Sequence, residues 1–172
     1  MHKEVKRFCQ QVKHDHPQFF QNSDVLDCGS LDINGNNRYL FDNCFYKGID
    51  IVEGKNVDIV TKVHDFNMDF LFDCVICTEM LEHDEDFAAS LNAMFNFTKP
   101  GGLLLITAAG YGRGEHGTHE IKSGDSPLTN NYYCNISVSM LLQGLDLTKF
   151  NSYTISYYKT DIRFAGIKIK ES

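Results

Sequence analysis

The spacing of hydrophobic positions changes several times along the chain, and each change marks an element. Val5, Phe8, Cys9 and Val12 stand at i, i+3, i+4 and i+7 with polar residues between them, which predicts an amphipathic helix ending near Pro17. Residues 25–28 are a short run, apolar but for Asp27, bounded by Asp24 and Gly29, the pattern of a strand. A turn rich in Gly, Asp and Asn follows, then a short helical segment around residues 38–42 and a second strand over 45–51. Residues 57–63 alternate apolar and polar, as a more exposed strand does, whereas 72–77 are apolar but for Asp73 and suit a strand buried on both faces. Asp84, Glu85 and Asp86 then open a helix whose Phe87, Leu91, Met94 and Phe95 share one face, and Lys99-Pro100-Gly101-Gly102 stops it. A buried strand over 103–109 leads into an irregular stretch, 110–135. After it come a helix over 136–145 and two alternating strands, 153–158 and 162–170, joined as a hairpin at residues 159–161. Strands alternating with helices predict an α/β fold, a doubly wound, mostly parallel sheet of seven strands with an antiparallel strand from the C-terminal hairpin.

With 172 residues the chain reads as one domain, 1–172, with a leading helix in 1–17 and a substrate or lid loop at 110–135. Sixteen basic against 23 acidic residues give a net charge of −7, which argues against a general nucleic-acid binder and against docking on an anionic membrane. No apolar run approaches the roughly 20 residues of a membrane span. Met1-His2-Lys3-Glu4-Val5 leads into no apolar stretch, so no signal peptide is read and a cytoplasmic setting is expected. The six cysteines, Cys9, Cys28, Cys44, Cys74, Cys77 and Cys134, are then expected as reduced thiols. Cys74 and Cys77 have C-x-x-C spacing, but on a strand positions i and i+3 point to opposite faces, so their sulfurs cannot converge.

In an open α/β sheet, ligands bind beyond the carboxyl ends of the strands at the switch point. Four segments fall there: Asp27-Cys28-Gly29-Ser30-Leu31-Asp32-Ile33-Asn34-Gly35, then Gly48-Ile49-Asp50-Ile51, then Phe72-Asp73-Cys74-Val75-Ile76-Cys77-Thr78-Glu79-Met80-Leu81-Glu82-His83, then Lys99-Pro100-Gly101-Gly102-Leu103-Leu104-Leu105-Ile106. Asp50 lies 21 residues past Gly29, where an acid can accept both ribose hydroxyls of a nucleotide. In this order and spacing the segments resemble the small, single-domain class I S-adenosylmethionine-dependent methyltransferases, of the type 11-like kind, over residues 25–109. That resemblance implies S-adenosyl-L-methionine as cofactor in a Rossmann-like fold. It places Asp27, Gly29 and Ser30 at the methionine end, Leu31 among the cofactor-binding residues and Asp50 on the ribose. Ile51, Val63 and His64 then lie around the adenine, and Thr78 and Glu79 beside the sulfonium. The chain departs from the pattern twice. Ser30-Leu31 follows Gly29 where a second glycine is common, and Lys62 stands where many members carry an acid for the adenine amino group, with Asp65 or the backbone left to serve. These departures motivate an alternative, a non-catalytic partner or regulatory module. A nicotinamide-dependent oxidoreductase is a third reading. It needs G-x-G-x-x-G for a pyrophosphate, whereas Gly29 and Gly35 are six apart with Asp32 between them.

For the transfer itself, His83 and His116 are the candidate bases, with His119, Glu115 and Asp125 further candidates in the long loop. Gly112-Arg113-Gly114-Glu115-His116-Gly117-Thr118-His119 resembles loops of small methyltransferases linked to glycan or cell-surface modification, which implies a small-molecule or glycan-type acceptor. Arg113 is the candidate for an anionic acceptor group, Glu115 and His119 for polar contacts, and Tyr132 and Tyr133 for stacking. No metal is expected: His116 and His119 lie three apart beside Glu115, but without helical geometry that spacing defines no site. His2, His14 and His16 are expected to face solvent. A chain of this length has no room for a substrate domain, so acceptor recognition falls to 110–135 and the following helix, or to a second subunit.

Overall fold

The computed structural model describes residues 2–129 and 131–170. Seven strands form one sheet: β1 (Asp24–Cys28), β2 (Phe45–Asp50), β3 (Ile59–Val60), β4 (Phe72–Thr78), β5 (Thr98–Ala109), β6 (Phe150–Tyr158) and β7 (Asp161–Lys168). Their order is β3-β2-β1-β4-β5-β7-β6. The first five are parallel, and β7 runs antiparallel between β5 and β6. The order reverses between β1 and β4, so the carboxyl ends of these two strands splay apart into the crevice where such sheets take ligands.

The alternation of side chains along the central strands divides the core in two. Leu26, Cys28, Val75, Cys77, Leu104 and Ile106 face α2 (Phe87–Phe97) and α3 (Val138–Gly144), where Leu91, Met94 and Leu141 are fully buried. Val25, Cys74, Ile76, Leu103 and Leu105 face the other way, against Val5, Cys9 and Val12 of α1 (Lys3–Asp15). Cys74 and Cys77 thus lie on opposite faces of the sheet, and all six cysteines are free thiols. No helix among the described residues is long and apolar enough to cross a membrane.

Several boundaries differ from those the sequence pattern predicts, each for a local reason. The segment after β1 forms only a single 3-10 turn, Arg38–Leu40. Here Asp32 Oδ1 accepts the Gly35 amide (2.9 Å) and Asn36 Oδ1 accepts the Arg38 amide (2.9 Å), local bonds that compete with a helix. The third strand shrinks to two residues because the chain first crosses over Gly48, whose missing side chain makes room for it. A Cβ at Gly48 would lie 2.2 Å from the Asn56 carbonyl oxygen. The helix expected from Asp84 starts at Phe87, since Asp84 Oδ1 accepts the Asp86 amide (2.9 Å) in a turn ahead of it. α3 starts at Val138, with Ser137 Oγ accepting the Met140 amide (3.3 Å) as its N-cap. The Lys99-Pro100-Gly101-Gly102 segment ends α2 as expected, but it already belongs to β5, entering through a register shift against β4.

The long irregular segment is pinned at its base. Gly110 donates its amide to the Thr160 carbonyl (2.7 Å), Cys134 to that of Glu82 (2.8 Å) and Ile136 to that of Ala109 (2.7 Å). These bonds hold the loop over the carboxyl ends of β4 and β5.

Candidate active site

At the switch point the strand ends open on a cavity of about 450 Å³, within the usual range for small-molecule sites. Its wall brings together Asp27, Gly29, Ser30, Leu31, Asp50, Ile51, Val63, Thr78 and Glu79 with His83, Arg113, His116 and Asp125. These come from the first three of the four segments singled out above, from Val63 after β3 and from the long loop, which closes the cavity on one side with Lys122 and Ser126 to Thr129.

The turn after β1 is shaped by Gly29. Its φ of 79° suits glycine, and a Cβ there would meet Met80 Cβ at 2.6 Å. The amides of Gly29 and Ser30 both donate to the Ile49 carbonyl (2.9 and 3.0 Å), which locks this turn onto β2. Ser30 Oγ is buried without a partner. Asp50, at the end of β2, accepts the Leu31 amide on Oδ2 and the Val52 amide on Oδ1, each at 3.1 Å. A carboxylate oxygen has two lone-pair sites, so both oxygens keep accepting capacity toward the cavity. Burial pushes the Asp50 carboxyl up, and these amides pull it back.

Beneath the turn, Asp27 is almost completely buried. Asn37 donates one amide proton to Asp27 Oδ1 (3.1 Å) and the other to Thr78 Oγ1 (3.0 Å), while the Tyr46 hydroxyl donates to Asp27 Oδ2. Burial pushes the Asp27 carboxyl up to about 6 in spite of these donors. Asp32 is neutralised by Lys55 (2.8 Å).

Glu79 takes a left-handed conformation (φ 56°) at the end of β4, a strained position of the kind that collects at functional sites. Its carboxylate accepts from Thr107 Oγ1 (3.1 Å) and sits by His2 Nε2 (3.3 Å) and Arg113 (3.5 Å). Burial works against the Glu79 charge, but the hydrogen bond from His2 and the charges of His2 and Arg113 outweigh it and hold the carboxyl below its usual range. His2 therefore does not face solvent as expected: it lines the cavity and lies 3.3 Å from Asp161 as well. Arg113 is on the wall, but its guanidinium is already engaged by Glu79 and by Asp161 (3.2 Å).

His83 and His116 meet edge to face, with ring centroids 5.0 Å apart, and the Tyr133 ring packs against both at 5.5 and 5.0 Å. Burial, and then the neighbouring His116, push His83 down to about 4, so its imidazole is neutral at physiological pH. Gly117 (φ 70°) lets the loop approach this closely; a Cβ there would lie 2.8 Å from His83 Cε1.

Five residues named from the sequence stand off the cavity wall. His64 turns toward α2, within 3.4 Å of Ser90 Oγ and 3.7 Å of Asp86. Glu115 and His119 are exposed. The Tyr132 hydroxyl donates to Cys134 Sγ (3.1 Å), and the Tyr133 hydroxyl donates to Asn135 Oδ1 (2.8 Å), with the Gly114 carbonyl at 3.2 Å. Tyr133 thus backs the histidines, and Tyr132 points into the loop. Sequence reasoning missed Asn37 and Tyr46, which hold Asp27, and gave no role to Glu82. Their signal was faint: Asn37 ends an Asn-rich turn, and Glu82 stands beside His83 inside a segment quoted for other residues.

A pyrophosphate needs free amides at a helix N-terminus. Here the amides of Gly29 and Ser30 are bound to Ile49 and no α-helix joins β1 to β2, so the dinucleotide arrangement is missing.

No family model matches the chain, and no curated protein matches it. Solved structures do. The 1,6-didemethyltoxoflavin-N1-methyltransferase of Burkholderia thailandensis, bound to 1,6-didemethyltoxoflavin and S-adenosylhomocysteine, is 16% identical with a TM-score of 0.64, over 96% of this chain and 79% of that one. The N-methyltransferase NodS of Bradyrhizobium japonicum, in complex with S-adenosylhomocysteine, is 15% identical with a TM-score of 0.64, over 98% of this chain and 88% of that one. The N-terminal domain of EvdMO1, in the presence of S-adenosylhomocysteine and D-fucose, is 14% identical with a TM-score of 0.68, over 97% of this chain and 84% of that one. At such identities what is shared is the architecture, and the chain has the class I S-adenosylmethionine-dependent methyltransferase fold.

Proposed function

We infer that the chain binds S-adenosylmethionine in this cavity and transfers its methyl group to a small-molecule or glycan-type acceptor. The observation that carries the reading is the pairing of Gly29 and Asp50 at the switch point of a β3-β2-β1-β4-β5-β7-β6 sheet, on one cavity with His83 and His116. The residues present fit the cofactor. Asp50 has acceptor sites left for two ribose hydroxyls, and Ile51 and Val63 offer apolar surface to the adenine. The turn of Gly29 and Ser30 lines the methionine end, and the acids around the cavity suit a cationic ligand.

When bound, the cofactor supplies an electrophilic methyl group on a positively charged sulfur. The chain's own part is to align the acceptor with it, which can provide much of the rate. Thr78 and Glu79 close the sulfonium side, and the His83–His116 pair marks where the acceptor is activated. The S-adenosylhomocysteine that accompanies three of the matched structures, with 1,6-didemethyltoxoflavin in one and D-fucose in another, supports this assignment. Incubation with methyl-labelled cofactor and a panel of hydroxylated, amino and sugar acceptors tests it. Label transfer and release of S-adenosylhomocysteine are expected for at least one class. Cofactor binding with no transfer to any class would favour the non-catalytic module instead.

Asp27 contributes through its charge, from beneath the methionine end. Because its carboxyl is pushed up to about 6, it is ionised above that pH and neutral below it. A bound ammonium group favours the ionised form, so cofactor affinity should be flat above about pH 7 and fall as the pH drops through about 6. Calorimetry in buffers of different ionisation enthalpy should show proton release on binding near that pH. An affinity unchanged down to pH 5 would remove Asp27 from the electrostatics of the site.

A further inference from the structure

Next to the cavity lies a set of donor atoms that methyl transfer by alignment leaves unexplained. Glu82 is completely buried; the backbone amides of Glu82 and Ala109 lie near its carboxylate, but neither oxygen has a hydrogen-bond partner in good geometry and no side chain donates to it. The neighbouring His83 Nδ1 is buried and equally unpartnered. Buried polar groups without partners are rare in native proteins and call for a specific cause, an ion among them. His116 completes the group: one donor atom from each of Glu82, His83 and His116 lies within 4.8 Å of the others.

We propose that Glu82, His83 and His116 form a binding site for one divalent transition-metal ion of the zinc type, at the acceptor end of the cavity. Two imidazoles and a carboxylate are a donor set that zinc accepts, with a fourth position open to another ligand. Bonds of about 2.0–2.1 Å in tetrahedral geometry put donors roughly 3.3 Å apart, so small side-chain rotations close the observed spread. The neutral His83 ring has the lone pair that ligation needs. His116 Nδ1 lies 3.1 Å from the Gly114 carbonyl oxygen. A carbonyl only accepts, so Nδ1 carries the proton and Nε2 is left to ligate, the usual way a second hydrogen bond orients a metal-bound histidine. Tyr133 packs against both rings, and Gly117 lets the loop sit on His83, so the seat is already assembled.

Two other groups could be compared with this one among the described residues. In the set of His2, Glu79 and Asp161, both acids already pair with His2 and with Arg113. In the set of His64, Asp84 and Asp86, Asp86 is exposed and carries Lys62 at 3.4 Å. Both have a resident cation; the Glu82 set holds a buried carboxylate with none paired to it. Because His83 and His116 line the cavity, the open position faces the space left for the acceptor. The site thus deepens the transferase reading by placing a Lewis acid there, although binding of the ion stands apart from transfer.

The test uses the full chain, stripped with a chelator and titrated with Zn²⁺ against a chromophoric competitor, and with Co²⁺ followed by visible absorption. One ion per chain is expected, with a Co²⁺ spectrum of low coordination number. Glu82→Gln and His116→Ala should each lower Zn²⁺ affinity at least about a hundredfold, since even outer partners of a metal site contribute 10–100-fold. Circular dichroism and a cooperative thermal transition in both variants report that they are folded. If Glu82→Gln does not fold, His116→Ala, in the surface loop, carries the test alone. His14→Ala, on the exposed side of α1, should leave Zn²⁺ affinity unchanged. No ion bound by the wild-type chain, full affinity in both site variants, or loss only in His2→Ala would each overturn the proposal. Zn²⁺ binding without S-adenosylhomocysteine binding would support this site while sinking the cofactor reading.

Discussion

Gly29→Ala is expected to destabilise the fold by roughly 2–5 kcal/mol and to abolish cofactor binding in whatever folds. Two costs combine. A residue with a Cβ at φ 79° loses about 1–2 kcal/mol in the left-handed region. The added carbon also meets Met80 Cβ and Cγ at 2.6 Å, and overpacking of this kind costs about 1–3 kcal/mol. Met80 Cβ is bound to the backbone and cannot swing away, so the turn itself must move. That turn carries the Gly29 and Ser30 amides bound to Ile49 and places Ser30 and Leu31 on the cavity wall. Pairing Gly29→Ala with Met80→Gly, which removes both Cβ and Cγ, should recover the part due to overpacking and leave the backbone cost. Urea denaturation of the two single variants and the double variant separates the terms. A midpoint like that of wild type for Gly29→Ala would contradict this account of the turn.

Asp50→Ala should weaken S-adenosylhomocysteine binding by about 1.5–3 kcal/mol, roughly tenfold to more than a hundredfold, because it removes hydrogen bonds to a charged acceptor. It also frees the Leu31 and Val52 amides, so part of the loss will come from a looser wall. Asp50→Asn keeps one carbonyl acceptor and should fall between wild type and alanine. Calorimetric affinities for the three proteins check the order. An alanine variant that binds as tightly as wild type would remove Asp50 from the ribose.

The periodicities of 2 and 3.6 carried most of the architecture. Residues 72–77 read as a doubly buried strand and are one: Val75 and Cys77 face α2 while Cys74 and Ile76 face α1. Gly29, Asp50 and the long loop could be placed because strand ends and turn residues are local signals. What stayed hidden depends on contacts between distant parts of the chain. His2 precedes an amphipathic helix and reads as solvent-facing, yet α1 docks against the β6–β7 turn through Glu4 and Lys159 (2.7 Å) and brings His2 to Glu79. Tyr46 and Asn37 matter only because β2 and the turn after β1 bury Asp27 between them. The helix expected near residues 38–42 yielded to side-chain bonds from Asp32 and Asn36, and the strand expected over 57–63 to the crossing above Gly48. His83 and His116 were named as separate candidates; that they touch, above a buried Glu82, follows from how the loop is pinned to the ends of β4 and β5.

Calorimetric titration of the full chain with S-adenosylhomocysteine tests the central claim most directly, since it needs neither the acceptor nor turnover. The account predicts saturable binding of one ligand per chain, weakened by Asp50→Ala and by acidification through about pH 6. A folded protein that gives no binding heat at millimolar ligand would contradict it.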